Sequence, residues 1–114
     1  MNTLMDEALV VRGGLNLPEQ FATGAGVIVD EQGKLHHVSV NCADGKTVEE
    51  LAVGILHGQI GTATLREIRA AGADVLPDAS PNNPYHSLLN GITAQTAHVL
   101  FTPTVANPAR RKKR

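Results

Sequence analysis

Arg12 and His86 carry complementary chemistry at positions where chains commonly meet ligands. Arg12 ends an apolar run and stands beside Gly13 and Gly14, and His86 leaves the loop Pro81-Asn82-Asn83-Pro84-Tyr85. A guanidinium offers fixed donors to a phosphate or carboxylate, an imidazole exchanges a proton near neutral pH, and loops at strand ends are frequent binding positions. Thr62 and Thr64 precede an expected helix N-terminus, where free N–H groups and the positive end of the dipole hold anions. Together these groups suit metal-independent attack on an RNA phosphate. His86 would act as general base or acid and Arg12 on the developing charge, with Thr64 and His37 lining the same cleft. RNA brings its own 2′-hydroxyl nucleophile, so the reaction calls for neither a covalent residue nor a cofactor. The competing reading is structural: Arg12 pairs with a carboxylate, His86 bonds its own loop and Thr64 only caps a helix.

Other chemistries find less footing. His36 and His37 are neighbours on an expected strand and would point to opposite faces, so one ion is not held by both. His57 and His98 read as surface or capping residues, and no His, Cys and carboxylate pattern has metal-ligand spacing. The glycines at 13, 14, 24 and 26 fit turns, since neither Gly-x-x-x-x-Gly-Lys nor Gly-x-Gly-x-x-Gly occurs. Ser39 and Cys42 lack a flanking nucleophile motif. Cys42 is the only cysteine, which excludes an intramolecular disulfide and a Cys-x-x-Cys knuckle, and it reads as a small half-buried residue.

Charge divides the chain. Five of its ten Lys and Arg residues are Arg110 to Arg114, so the first 109 residues set the other five against all eleven acidic residues, a formal −6 within a total of −1. This is the pattern of an acidic body with an anion-seeking arm. Only Phe21, Tyr85 and Phe101 are aromatic, which leaves few rings for stacking bases and makes the core aliphatic. Met1 to Glu7 has no basic region ahead of an apolar run, and no stretch approaches the roughly 20 apolar residues of a membrane span. A cytoplasmic protein without a membrane partner is the expectation.

The elements that must position these groups can be placed by pattern. Ala8–Arg12 reads as a strand. Asn16 would cap a helix with Pro18 in its first turn, closing at Gly24 and Gly26. Val27–Asp30 and Leu35–Val40 read as a β-hairpin turning at Gly33, with Leu35, His37 and Ser39 on one face and His36, Val38 and Val40 on the other. Thr47 with Glu50, and Thr64 with Glu67, have capping-box spacing and predict two short helices, the second ending at Gly72. Pro77–Pro84 is a turn-rich loop, and Ser87–Asn90 a short strand. Thr93 caps a last helix through Phe101, and Pro103 and Pro108 end regular structure. The expected architecture is a single α+β domain over residues 1–108, a small, mainly antiparallel sheet with three or four short helices. Residues 109–114 are expected to form a disordered basic tail.

Val11-Arg12-Gly13-Gly14, Phe21-Ala22-Thr23-Gly24, Val38-Ser39-Val40-Asn41, Ile68-Arg69-Ala70-Ala71-Gly72, Asn83-Pro84-Tyr85-His86 and Leu100-Phe101-Thr102-Pro103 together resemble small bacterial toxin-type domains. These are the effectors of toxin–antitoxin and polymorphic toxin systems. The resemblance implies a compact RNA-cleaving effector with an RNA substrate and a cognate antitoxin. Other such domains are ADP-ribosyltransferases, whose opening Arg12 and Ser39 fit, but the acidic residue expected late in the chain is missing, since the last carboxylate is Asp78. The acidic body supports a different class, a non-catalytic immunity or antitoxin-like module that covers a basic partner. A third reading makes the basic tail a tether.

Overall fold

Strand β1 (Leu9–Gly13) is the centre about which the chain is built. In the computed structural model, which describes residues 4–110, it pairs antiparallel with β4 (Val38–Ala43) on one side and β5 (Gln59–Thr64) on the other. Outside these lie β7 (His86–Asn90) and β6 (Asp74–Pro77) beyond β4, and β9 (Val105–Ala106) beyond β5. The resulting six-stranded sheet has the order β6-β7-β4-β1-β5-β9, and all its pairings are antiparallel. A second sheet of three short strands, β2 (Ile28–Val29), β3 (Lys34–His36) and β8 (Ile92–Thr93), runs in the order β2-β3-β8. With helices α1 (Pro18–Ala22), α2 (Val48–Ala52), α3 (Leu65–Ala70) and α4 (Ala94–Leu100), the fold is the α+β class expected from the sequence.

Alternation along the central strands sends different residues to the two faces of the large sheet. Val10, Val38, Val40, Cys42 and Leu89 join Phe21, Leu65, Ile68 and Phe101 in the larger core. Val11 and Ile60 point the other way and bury against Leu51 and Ala52 of α2, a core of only four fully buried side chains. At roughly 1.5–3 kcal/mol for each large apolar side chain buried, most of the stabilisation comes from the first face.

The helices are short, and their ends are fixed by side chains. Both capping boxes form as the spacing predicts. Thr47 Oγ1 accepts from Glu50 N at 3.1 Å while Glu50 Oε1 accepts from Thr47 N at 2.9 Å, and Thr64 with Glu67 repeats the pair at 3.1 and 2.9 Å. The hydrogen bond from the Thr47 N–H holds the Glu50 carboxyl below its ordinary pKa. Thr93 caps α4 by accepting from Thr96 N at 3.2 Å.

Several local expectations are corrected. Asn16 does not cap α1; Leu17 holds that position, and Asn16 is buried with φ 59° and its amide turned to other work. The expected hairpin exists as β2 and β3, but its second strand ends at His36, because His37 takes φ 67° and restarts the chain as β4 in the other sheet. That left-handed residue shifts the alternation, so Leu35 shares the larger core with Val38 and Val40 while Ser39 faces away from it. Regular structure continues past Pro103 in β9, which completes the sheet edge by pairing with Gln59 and Ile60. Ala109 packs on the smaller core, and Arg110 bonds the body through its backbone N–H to Asn107 O at 3.2 Å and through its guanidinium to Leu56 O. Of the expected tail, residues 111–114 lie outside the described residues.

Candidate functional site

The β1–β4 ladder runs Leu9↔Ala43, Val10↔Cys42 and Val11↔Asn41, and there it stops. Both strands continue, β1 to Gly13 and β4 back to Val38, without further pairing to one another. On the face of the smaller core, a cavity of about 470 Å³ opens over this splayed end. Arg12, Gly13, Ser39, Val40 and Asn41 border it from the sheet, the segment after α2 from Val53 to His57 closes one side, and Asn82, Asn83 and His86 close the other. Helix α2 is too short to cover the whole face, which is why the cavity exists. Its volume is that of a small-molecule or single-residue site.

Two of its lining side chains, His86 and Ser39, form a line with Asp78, which lies behind them. His86 Nδ1 lies 3.1 Å from Asp78 O and 3.2 Å from Asp78 Oδ2, and His86 Nε2 lies 3.1 Å from Ser39 Oγ. Both neighbours of Nδ1 are acceptors, so Nδ1 carries the ring proton and donates it. Nε2 is then the unprotonated nitrogen, placed to accept from the Ser39 hydroxyl. The sheet register produces this line. Asn41↔His86 and Ser39↔Leu88 place His86 diagonally next to Ser39 on one face, and Pro77↔Ser87 brings Asp78 alongside His86 across the β6–β7 seam, with Asp78 N donating to His86 O at 2.8 Å.

Beneath the line the polar residues are tied down. Asn41 Nδ2 donates to Leu51 O at 2.7 Å, and its carbonyl oxygen accepts from Asn83 Nδ2 at 2.9 Å. Asn83 Oδ1 in turn accepts from Tyr85 N at 3.0 Å. This chain couples the end of α2 to the proline-bounded loop, so both cavity walls are anchored to the same strand. The opposite wall carries His57 and two exposed apolar side chains, Val53 and Leu56, which are 65% and 80% exposed, far more than core packing would leave them.

The residues singled out in the sequence are not all assembled here. Arg12 borders the cavity, but its guanidinium goes to the opposite face, where Cζ stands 4.3 Å from the centroid of the Phe21 ring. There Nη1 donates to Asn16 Oδ1 at 2.8 Å and Nη2 to Gln20 O at 3.3 Å, and burial lowers the pKa of the group from its ordinary value. Asn16 also donates through Nδ2 to the carbonyls of Arg12 at 3.2 Å and Gly14 at 3.3 Å, and its own carbonyl faces His98 Nδ1 at 2.9 Å. Arg12 is a structural residue, held in its place by period two: with Val11 facing the cavity side, its neighbour cannot. Thr64 pairs with Leu9 at the far end of β1 and serves as the cap of α3. His37 lies at the start of β4, with its N–H on Asn90 Oδ1 at 2.8 Å. Neither borders the cavity.

Of the residues at or behind this cavity, sequence reasoning gave Asp78 no place, read Ser39 as lacking a nucleophile motif and read His57 as a surface or capping residue. Ser39 and Asn41 alternate with Val38, Val40 and Cys42, and two polar side chains on one face of a central strand are the signal that pointed there. Asp78 carries no such signal, because its role depends on the β6–β7 register.

Cys42 is 4% exposed and its thiol is pushed up to about 12, first by burial, which disfavours the thiolate a nucleophile needs. Among the described residues, no group of three or more His, Cys, Asp or Glu is placed to share a metal ion. Arg69 bonds Asp6 and Asp74, and Arg66 bonds Glu7, so these cations are occupied by carboxylates on another part of the surface. Arg110 bonds the carbonyl of the rim residue Leu56. No described helix is long and apolar enough to cross a membrane. Comparison with protein-family models, curated proteins and solved structures finds no match for this chain.

Proposed function

We propose that this domain is a bacterial toxin-type effector that cleaves RNA in the cytoplasm by metal-independent transesterification, with His86 as the general base. The observation that carries the reading is the Asp78–His86–Ser39 line, whose His86 and Ser39 border a cavity of about 470 Å³. Asp78 fixes the tautomer and orientation of the ring, leaving Nε2 to take a proton from a hydroxyl. The Ser39 hydroxyl stands where a ribose 2′-hydroxyl would come to be deprotonated. Ser39 itself lies within strand β4 rather than at a strand-to-helix turn of the nucleophile-elbow kind, so its position suits a placeholder for a substrate hydroxyl better than a nucleophile.

The apolar rim at Val53 and Leu56 offers a surface for one face of a base, and Arg110 begins the chain's cationic run beside that rim. A guanidinium at this point meets a phosphate of a bound strand and offsets part of the repulsion from the acidic body. A cognate antitoxin is the partner that such an effector requires.

The reaction predicts its own product. An RNA oligonucleotide incubated with the purified protein in a chelator is expected to give a 2′,3′-cyclic phosphate end, and 2′-deoxy substitution at the cleaved nucleotide is expected to block cleavage there. Intact RNA would refute the reading, and a basic protein co-purifying with an inactive domain would favour the antitoxin-like alternative.

A further inference from the structure

Cleavage by this route moves two protons. One leaves the 2′-hydroxyl as its oxygen bonds to phosphorus, and one must reach the 5′-oxygen as the P–O5′ bond breaks. His86 serves the first. The geometry points to His57 as the general acid that supplies the second, an inference that rests on the RNA-cleaving reading of the site.

His57 borders the same cavity as His86, from the opposite wall. Its ring lies over the Gly13–Gly14 turn, which is shaped to receive it. A Cβ added at Gly13 would come within 2.7 Å of His57 Cδ2 and 2.6 Å of Ile55 Cγ2, and one added at Gly14, where φ is 97°, would stand 3.7 Å from His57 Cε1 and Nδ1. Any larger residue at position 13 would push against both the ring and the Ile55 side chain, so the glycine is required by these two side chains rather than by the strand, in which Gly13 still pairs with Ile60. The backbone beneath His57 is fixed as well. Buried Asn107 donates through Nδ2 to His57 O at 3.0 Å and to Ile55 O at 3.1 Å. While its backbone and ring are located in this way, the ring nitrogens have no hydrogen-bond partner among the described residues, and the residue is exposed. A positioned imidazole whose ring nitrogens have no partner among the described residues, bordering a cavity that a second imidazole also borders, is what an in-line displacement asks of an acid and base pair. The step balances: the 2′-oxygen bonds to phosphorus and its proton passes to His86 Nε2, while the 5′-oxygen departs with the proton of His57. No oxidant, reductant or further reactant takes part.

The test exploits the leaving group. A 5′-bridging phosphorothiolate linkage expels a thiolate that departs without a proton, whereas the natural linkage expels an alkoxide that needs one. His57→Ala is expected to lose on the order of 10²–10⁴-fold in the cleavage rate of the natural linkage and to remain within a few-fold of the parent protein on the thiolate linkage. His86→Ala is expected to lose on both. Gly13→Ala, which displaces the ring without removing it, is expected to reproduce the leaving-group dependence of His57→Ala. An equal loss by His57→Ala on both linkages, or no loss on either, would overturn the assignment while leaving the RNA-cleaving reading in place. If the parent protein cleaves neither linkage, both fall together.

Discussion

The two faces of the six-stranded sheet divide the work of the molecule. One is closed by α1, α3, α4 and the three-stranded sheet, and nearly every large side chain there is fully buried. The other is half closed by five residues of α2 and the segment that follows it, and polar side chains of β4 and β7 occupy what remains. Arg12 and His86 make the contrast concrete. Both border the cavity, yet the guanidinium is spent on the closed face among Phe21, Asn16 and Gln20, and the imidazole stands on the open one between Asp78 and Ser39. Under the proposed reading stability and chemistry separate by face, and a residue's type says less about its surroundings than the parity of its position along the strand.

If that division holds, substitutions on the closed face should cost stability in proportion to burial. Phe101→Ala removes a fully buried ring that lies 5.8 Å from that of Phe21, and an unfolding titration is expected to show a loss of about 3–5 kcal/mol. Arg12→Ala comes next, at about 2 kcal/mol, because it strips a charged donor from the buried Asn16 amide and uncovers the Phe21 ring. Arg12→Lys should recover little of this, since an ammonium cannot reproduce the forked donors. The folded fraction of either Arg12 variant is expected to cleave RNA within a few-fold of the parent. A fully stable but inactive Arg12→Ala protein would blur the division by placing the guanidinium in the reaction.

On the open face the expectation reverses. Ser39→Ala should change stability by less than about 0.5 kcal/mol, because the side chain is exposed, and should leave cleavage within a few-fold. Abolished cleavage with unchanged stability would make Ser39 a nucleophile instead. The smallest effect concerns pH. Asp30 is held below its ordinary pKa first by the hydrogen bond from His36 and next by that from the Lys34 N–H. A carboxyl depressed in the folded state stabilises above its unfolded value, and that contribution is lost as pH falls through the folded value. Unfolding midpoints measured below about pH 4 should therefore fall less steeply for Asp30→Asn than for the parent. An unchanged slope would show that this turn contributes nothing to acid sensitivity.

What the sequence made readable was local. The Thr47–Glu50 and Thr64–Glu67 boxes, the cap at Thr93 and the turn at Gly33 are written within four or five residues, and all appear in the structure. Strands β5, β6 and β9 were not anticipated, because Gln59–Thr64 and Asp74–Pro77 have weak alternation and acquire their conformation from distant partners. His86 was legible as a titratable side chain at the exit of the proline-bounded loop. Its partners were not, since Asp78 meets it only through strand pairing and Ser39 only after the phase shift at His37. Arg12 shows the reverse error: an arginine beside glycines looks like a phosphate ligand until the face it occupies is known.

The central claim is that the open face acts through His86. The most direct measurement is the rate of RNA cleavage by His86→Ala, taken together with its thermal midpoint. The account predicts a loss on the order of 10²–10⁴-fold with an essentially unchanged midpoint, since the imidazole lies outside both cores. Cleavage at the parent rate by the folded variant would contradict it.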